Sequence, residues 1–138
     1  MEDYEVIDIS WDAGIKAFGG TLEDLFVNAA RGMYSLMTDP GGVSEKETIT
    51  IEVESHSLEG LLVSWLNELI FRFDAYGFVG KEIRVKSLGR NRISAEVSGE
   101  EFDEERHEKR LLVKAATYHQ LRIEQQDGRW VTRVIFDI

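Results

Sequence analysis

Apolar residues recur at helical spacing in two stretches of the chain. Leu22, Leu25, Phe26, Ala29, Ala30, Met33, Tyr34 and Met37 fall three or four residues apart, which predicts one amphipathic helix over about 22–37. Thr21 stands where a cap is needed, and Glu23 and Asp24 lie in the first turn, where the helix dipole favours carboxylates. Leu58, Leu61, Leu62, Trp65, Leu66, Leu69, Ile70 and Phe73 predict a second helix over about 58–76, capped by Ser57 and stopped by Gly77. Val63 and Phe71 widen its apolar face, so this helix is expected to be covered on more than one side.

Elsewhere the pattern alternates with the period of two that marks a half-buried strand. Val6–Ile9 and Ile15–Phe18 flank a short polar turn. Ile49, Ile51 and Val53 form a third strand, Ile83 with Val85 a fourth, and Ile93, Ala95 and Val97 a fifth. A long strand is expected from about 111 to 124, followed by an Asp127-Gly128 hairpin turn and a last strand from Trp130 to Ile138. Thr38-Asp39-Pro40-Gly41-Gly42 reads as a loop. The fold class is α+β: a mainly antiparallel sheet system of about seven to eight strands with two packed helices, in a single domain over residues 1–138.

Composition narrows the function. The chain is 43% hydrophobic and has no cysteine, which excludes disulfides, thiolate catalysis and cysteine-ligated metals. Sixteen basic against 26 acidic residues give a net charge of −10, the wrong sign for a free-standing nucleic-acid binder. A basic protein partner, a cation or a nucleotide-bound metal is the better match. The acidic start, with no long apolar stretch after it, predicts no signal peptide and no membrane span, so a cytoplasmic location is expected. There is no phosphate-binding glycine loop, no nucleophile elbow and no His-Glu-x-x-His.

Four constellations remain. Asp8 and Asp12 lie four residues apart across a turn; Asp12 either caps that turn or supplies oxygen to a hard cation. Asp137 is followed by the terminal residue Ile138, which sets two carboxylates together at the end of an apolar strand. Such an end either frays into solvent or is neutralised by a cation, and the large apolar Phe136 and Ile138 weigh against fraying. In Lys114-Ala115-Ala116-Thr117-Tyr118-His119, strand alternation puts Lys114 and His119 on opposite faces, where the first could meet a carboxylate or phosphate and the second could move a proton. The run Glu100–Arg110 reads as a solvated loop whose acidic part could dock on a basic partner.

Taken together these segments resemble the archease family along nearly the whole chain. The resemblance is carried by Tyr4–Gly19, Thr21–Phe26 with Asn28-Ala29-Ala30, and Leu36-Met37-Thr38-Asp39. Its most specific parts are Leu61–Leu69, Lys114–His119 and Val134-Ile135-Phe136-Asp137-Ile138. The resemblance implies a small accessory protein of tRNA splicing that activates an RtcB-type RNA ligase, promoting guanylation of the ligase's active-site histidine and multiple turnover. It also implies a divalent metal, Ca²⁺ first and Mg²⁺ or Mn²⁺ as alternatives, held by Asp12, Asp137 and the terminal Ile138. Asp8 and Asp39 occupy acidic positions of the family pattern, and with Lys114 and His119 they are expected as outer members or partner contacts. One departure is plain: the family's Asp-His-Thr-Ala-Asp motif reads Asp8-Ile9-Ser10-Trp11-Asp12 here, without the histidine. Two other readings stand beside the activator: a small metal-dependent phosphate-ester or nucleotide hydrolase using Asp12, Asp137 and His119, and a general chaperone or scaffold.

Overall fold

A computed structural model describes residues 3–9 and 12–138, with Asp8 described in its backbone alone. The chain runs β1 (Tyr4–Ile9), β2 (Asp12–Gly19), α1 (Leu22–Met37), a 3₁₀ turn (Pro40–Gly42), β3 (Glu47–Glu54), α2 (Leu58–Tyr76), β4 (Phe78–Leu88), β5 (Arg92–Glu101), β6 (Ala115–Ala116), β7 (Ile123–Gln126) and β8 (Arg129–Asp137). Every strand pairing is antiparallel. One sheet has the order β1-β2-β8-β6, with β7 also paired to β8, and the other the order β3-β5-β4. The architecture is therefore α+β, two antiparallel sheets with two helices.

Both helices occupy the spans their periodicity predicts, and their caps are the expected ones. Thr21 accepts from the Asp24 amide at 3.1 Å and Ser57 from the Gly60 amide at 2.9 Å. Gly77 takes the left-handed conformation (φ 72°) and closes α2. Between β7 and β8, Asp127 and Gly128 both have positive φ, 53° and 81°, as a two-residue hairpin requires. Among the described residues no helix is long and apolar enough to cross a membrane.

The core lies between the helices and one face of each sheet. Ile15 and Ala17 of β2 and Val134 and Phe136 of β8 are wholly buried with Leu25, Phe26 and Met33 of α1. Trp65 of α2 is also wholly buried and donates its indole N–H to the Phe26 carbonyl at 3.0 Å, tying the two helices together. Val63 is buried as expected. Phe71 is not: it is 52% exposed and packs edge-on against the exposed Tyr76, so α2 keeps one open side.

The expected strand over 111–124 is broken into β6 and β7. Backbone amides just before it are used elsewhere: those of Arg110 and Leu111 donate to Met37 and Leu36 at the C-terminus of α1. The last turn of α1 has no basic residue of its own, and the Arg110 guanidinium supplies one, donating to the Ser35 and Thr38 carbonyls at 2.8 and 3.3 Å. The segment then joins the sheet for two residues before turning away through Gln120, whose φ is 56°.

Candidate functional site

The ladder between β2 and β8 decides where the candidate carboxylates lie. Its pairs run from Gly19 opposite Trp130 to Ala13 opposite Phe136. One step beyond that last pair, β2 begins at Asp12 and β8 ends at Asp137. Ala13, Ile15 and Ala17 face the core, so Asp12 and Asp137 face outward, on the side away from the helices. Asp137 is exposed and Asp12 half-buried. On its other side Asp137 pairs with Ala115 of β6, and Ile138 follows at once.

Two side-chain carboxylates thus stand at one end of one sheet. Like charges on one face of a ladder destabilise it unless something neutralises them. Among the described residues, no Lys or Arg forms an ion pair with Asp12 or Asp137. The donor set is all oxygen, which suits a hard cation. Among the described residues, no three His, Cys, Asp or Glu side chains form a metal-binding group.

The remaining candidates are placed differently. Asp39 is exposed and caps its own 3₁₀ turn, its carboxylate accepting from the Gly41 amide at 3.0 Å. It lies three residues beyond Leu36, which lines the same groove as Asp12. Lys114 gives the site a backbone N–H, donated to the Asp137 carbonyl at 2.8 Å, while Ala115 is the residue that faces outward beside Asp137. His119 is exposed and begins the turn that leads the chain away from Asp137, its amide donating to Thr117 Oγ1. The Asp8 side chain, Ser10 and Trp11 lie outside the described residues, and with them the histidine-less turn.

Two features were hidden in the sequence. Asn67 of α2 acts as a surrogate strand: its amide accepts from the Ala116 N–H at 2.8 Å and donates to the Ala116 carbonyl at 3.3 Å, holding β6 beside the end of β8. The second corrects the reading of Glu100–Arg110 as a solvated loop, for Glu100 and His107 are buried at 3% and 4% exposure. The Asp103 amide donates to His107 Nδ1 at 2.8 Å, so that nitrogen carries no proton. Nε2 therefore holds the hydrogen and donates it to Glu100 at 2.9 Å. Glu100 also accepts from the Ser44 amide at 2.6 Å and from Arg106 at 2.7 Å.

These bonds lower the Glu100 carboxyl from 4.5 to about 2, the Ser44 amide first and His107 next, against the opposing effect of burial. A depressed carboxyl stabilises the fold above its unfolded value and loses that contribution as pH falls through the folded value. Urea unfolding of the native protein and Glu100→Gln should therefore differ by a constant amount above pH 5, and the difference should shrink steadily as pH falls from 4.5 toward 2.

Comparison with known proteins follows the same outline. The profile of the Archease protein family matches residues 4–138. The chain is 38% identical to protein archease of Thermococcus gammatolerans over 100% of both chains. It is 36% identical to protein archease of Methanopyrus kandleri, over 98% of this chain and 99% of that one. Among solved structures, protein 1598 of Methanobacterium thermoautotrophicum superposes over 100% of both chains with a TM-score of 0.84 at 35% identity. A Thermotoga maritima protein described as an archease and possible chaperone shares the fold, with a TM-score of 0.68 at 20% identity over 96% of this chain and 94% of that one.

Proposed function

The chain belongs to the archease family, and from that premise we propose that it is a non-enzymatic, cytoplasmic accessory protein of tRNA splicing. In this reading it activates an RtcB-type RNA ligase by promoting guanylation of the ligase's active-site histidine, and it uses a carboxylate-held divalent cation to do so. The observation that carries the reading is the β2–β8 ladder, whose last pair, Ala13 with Phe136, leaves Asp12 and Asp137 as the next residues of the two neighbouring strands.

The residues present fit such a cation. Asp12 and Asp137 offer side-chain oxygens from neighbouring strands on one face, and Ile138 offers its terminal carboxylate. A rigid sheet fixes the first two, and Asn67 and the Lys114 amide brace the strand beside them. When bound, a divalent cation supplies positive charge to phosphate oxygens. The protein's own part is to hold those carboxylates at an exposed sheet end, and its net charge of −10 favours fast encounter with a basic surface. His119 is exposed, and among the described residues its ring forms no hydrogen bond or ion pair with Asp12 or Asp137.

A ligation assay tests the proposal. With purified RtcB-type ligase, GTP and excess RNA, product should exceed one equivalent of ligase only when this protein is present. Equal turnover without it would contradict the proposal, and nucleotide hydrolysis by the isolated protein would favour an enzyme instead.

A further inference from the structure

The outer face of the first sheet, turned away from the helices, carries a row of cations along its middle. Strand alternation puts Ile15 and Ala17 of β2 in the core and Lys16 and Phe18 on this outer face. Lys16 stands directly opposite Arg133 of β8, and both line one groove of about 420 Å³ with Arg122. Toward the Gly19 end of β2, the Lys16 ammonium and the Arg129 guanidinium lie 5.5 and 4.0 Å from the centre of the Phe18 ring. Arg122, Arg133, Lys16 and Arg129 thus form one continuous row. Like charges directly opposed on a ladder weaken it, and this chain, with 26 acidic residues against 16 basic ones, has carboxylates to spare for pairing. Yet among the described residues Lys16, Arg129 and Arg133 form no ion pair. Of the two acids in the groove, Glu124 pairs with Arg122 at 3.6 Å, and Glu5 stands across from Lys16 on β1 without an ion pair to it.

We propose that this row binds the phosphodiester backbone of an RNA strand. The proposal rests on the ligase reading above: the RNA is the ligase's substrate, and this sheet face steadies it while the ligase holds it. Charge and spacing favour that occupant. From Arg129 to Arg133 the strand rises by about 13 Å. A stacked polynucleotide strand carries one phosphate per about 3.4 Å, so the row matches about four phosphates. Three of its four members are arginines, whose planar fork suits phosphate oxygens. Phe18 is only 6% exposed beneath its two cations, so a base has no ring to stack on, and the contact is with backbone and independent of sequence. The net charge of −10 opposes capture of free RNA, but at physiological salt charges more than about 8 Å apart are largely screened. The row therefore acts at short range on RNA that the ligase has already brought close, and adds to the ligase's own hold on it.

The test is multiple-turnover ligation with this protein saturating and RNA varied at several salt concentrations. Lys16→Gln with Arg129→Gln and Arg133→Gln should raise the KM for RNA by about threefold or more. The slope of log KM against log salt should fall by about 2 in that variant, at about 0.7 for each phosphate contact removed. Arg133→Gln alone, at an exposed position, should lower the slope by about 0.7. The rate at saturating RNA and the half-saturating concentration of this protein should stay as they are. Arg84→Gln with Lys86→Gln, cations of the other sheet that pair with Glu96, should move neither KM nor slope. Native protein that activates, with KM and slope unchanged in the triple variant, would overturn the row alone. A raised half-saturating concentration at unchanged RNA KM would make an acidic protein surface the occupant, and a raised KM for GTP would make it a nucleotide; either overturns the RNA contact. Native protein that fails to activate at any concentration would overturn the ligase reading and this RNA contact with it.

Discussion

Asp137→Ala and Asp12→Ala should each abolish multiple-turnover ligation while leaving a folded protein. Asp137 is exposed and Asp12 half-buried, and neither carboxylate forms an ion pair with Lys or Arg among the described residues. Removing either one leaves no buried group unsatisfied. It also relieves the repulsion between neighbouring like charges, a gain of about 0.2–1 kcal/mol. In a chelator, both variants should therefore melt at or slightly above the native protein. With a cation in excess the order reverses. A ligand at a hundredfold its Kd stabilises the state that binds it by about 2.7 kcal/mol, and only the native protein holds the full donor set. Thermal melts with and without cation, run beside the ligation assay, check both halves. Loss of activity together with a lower melting temperature in chelator would point to a fold defect instead.

Trp65→Ala should be the most damaging single change to stability. The side chain is wholly buried in α2 and its indole N–H donates to the Phe26 carbonyl in α1. Truncating a buried Trp removes apolar burial and leaves a cavity, at about 3–5 kcal/mol. Domains are stable by only about 5–15 kcal/mol, so a fifth or more of the total is lost and the melting temperature should fall by on the order of 10 °C. Trp65→Phe keeps most of the volume and gives up the hydrogen bond to Phe26, so its loss should be about 1–2 kcal/mol. Thermal denaturation followed by circular dichroism separates the two.

The helices were legible because their information is local. Stripe, cap and stop all lie within the segment, and Thr21, Ser57 and Gly77 do what their chemistry suggests. The stretch from Leu111 onward was misread because its alternation is real while its hydrogen-bond partners are remote. The amides of Arg110 and Leu111, where that stretch begins, go to the carbonyls of Met37 and Leu36 at the end of α1. Glu100 and His107 were misread for a similar reason. A charge run looks solvated unless the Ser44 amide and Arg106 are known to converge on it. Asp12 and Asp137 stand near opposite ends of the chain, and composition suggests a cation for each without bringing them together. The family resemblance implies that they share one cation, and the sheet order places β8 next to β2.

The most direct measurement is calorimetric titration of metal-free protein with Ca²⁺. One ion should bind per chain, with binding lost in Asp12→Ala and in Asp137→Ala and weakened when one residue is added after Ile138. No binding by the native protein, or equal binding by the Asp137→Ala variant, would contradict the cation site.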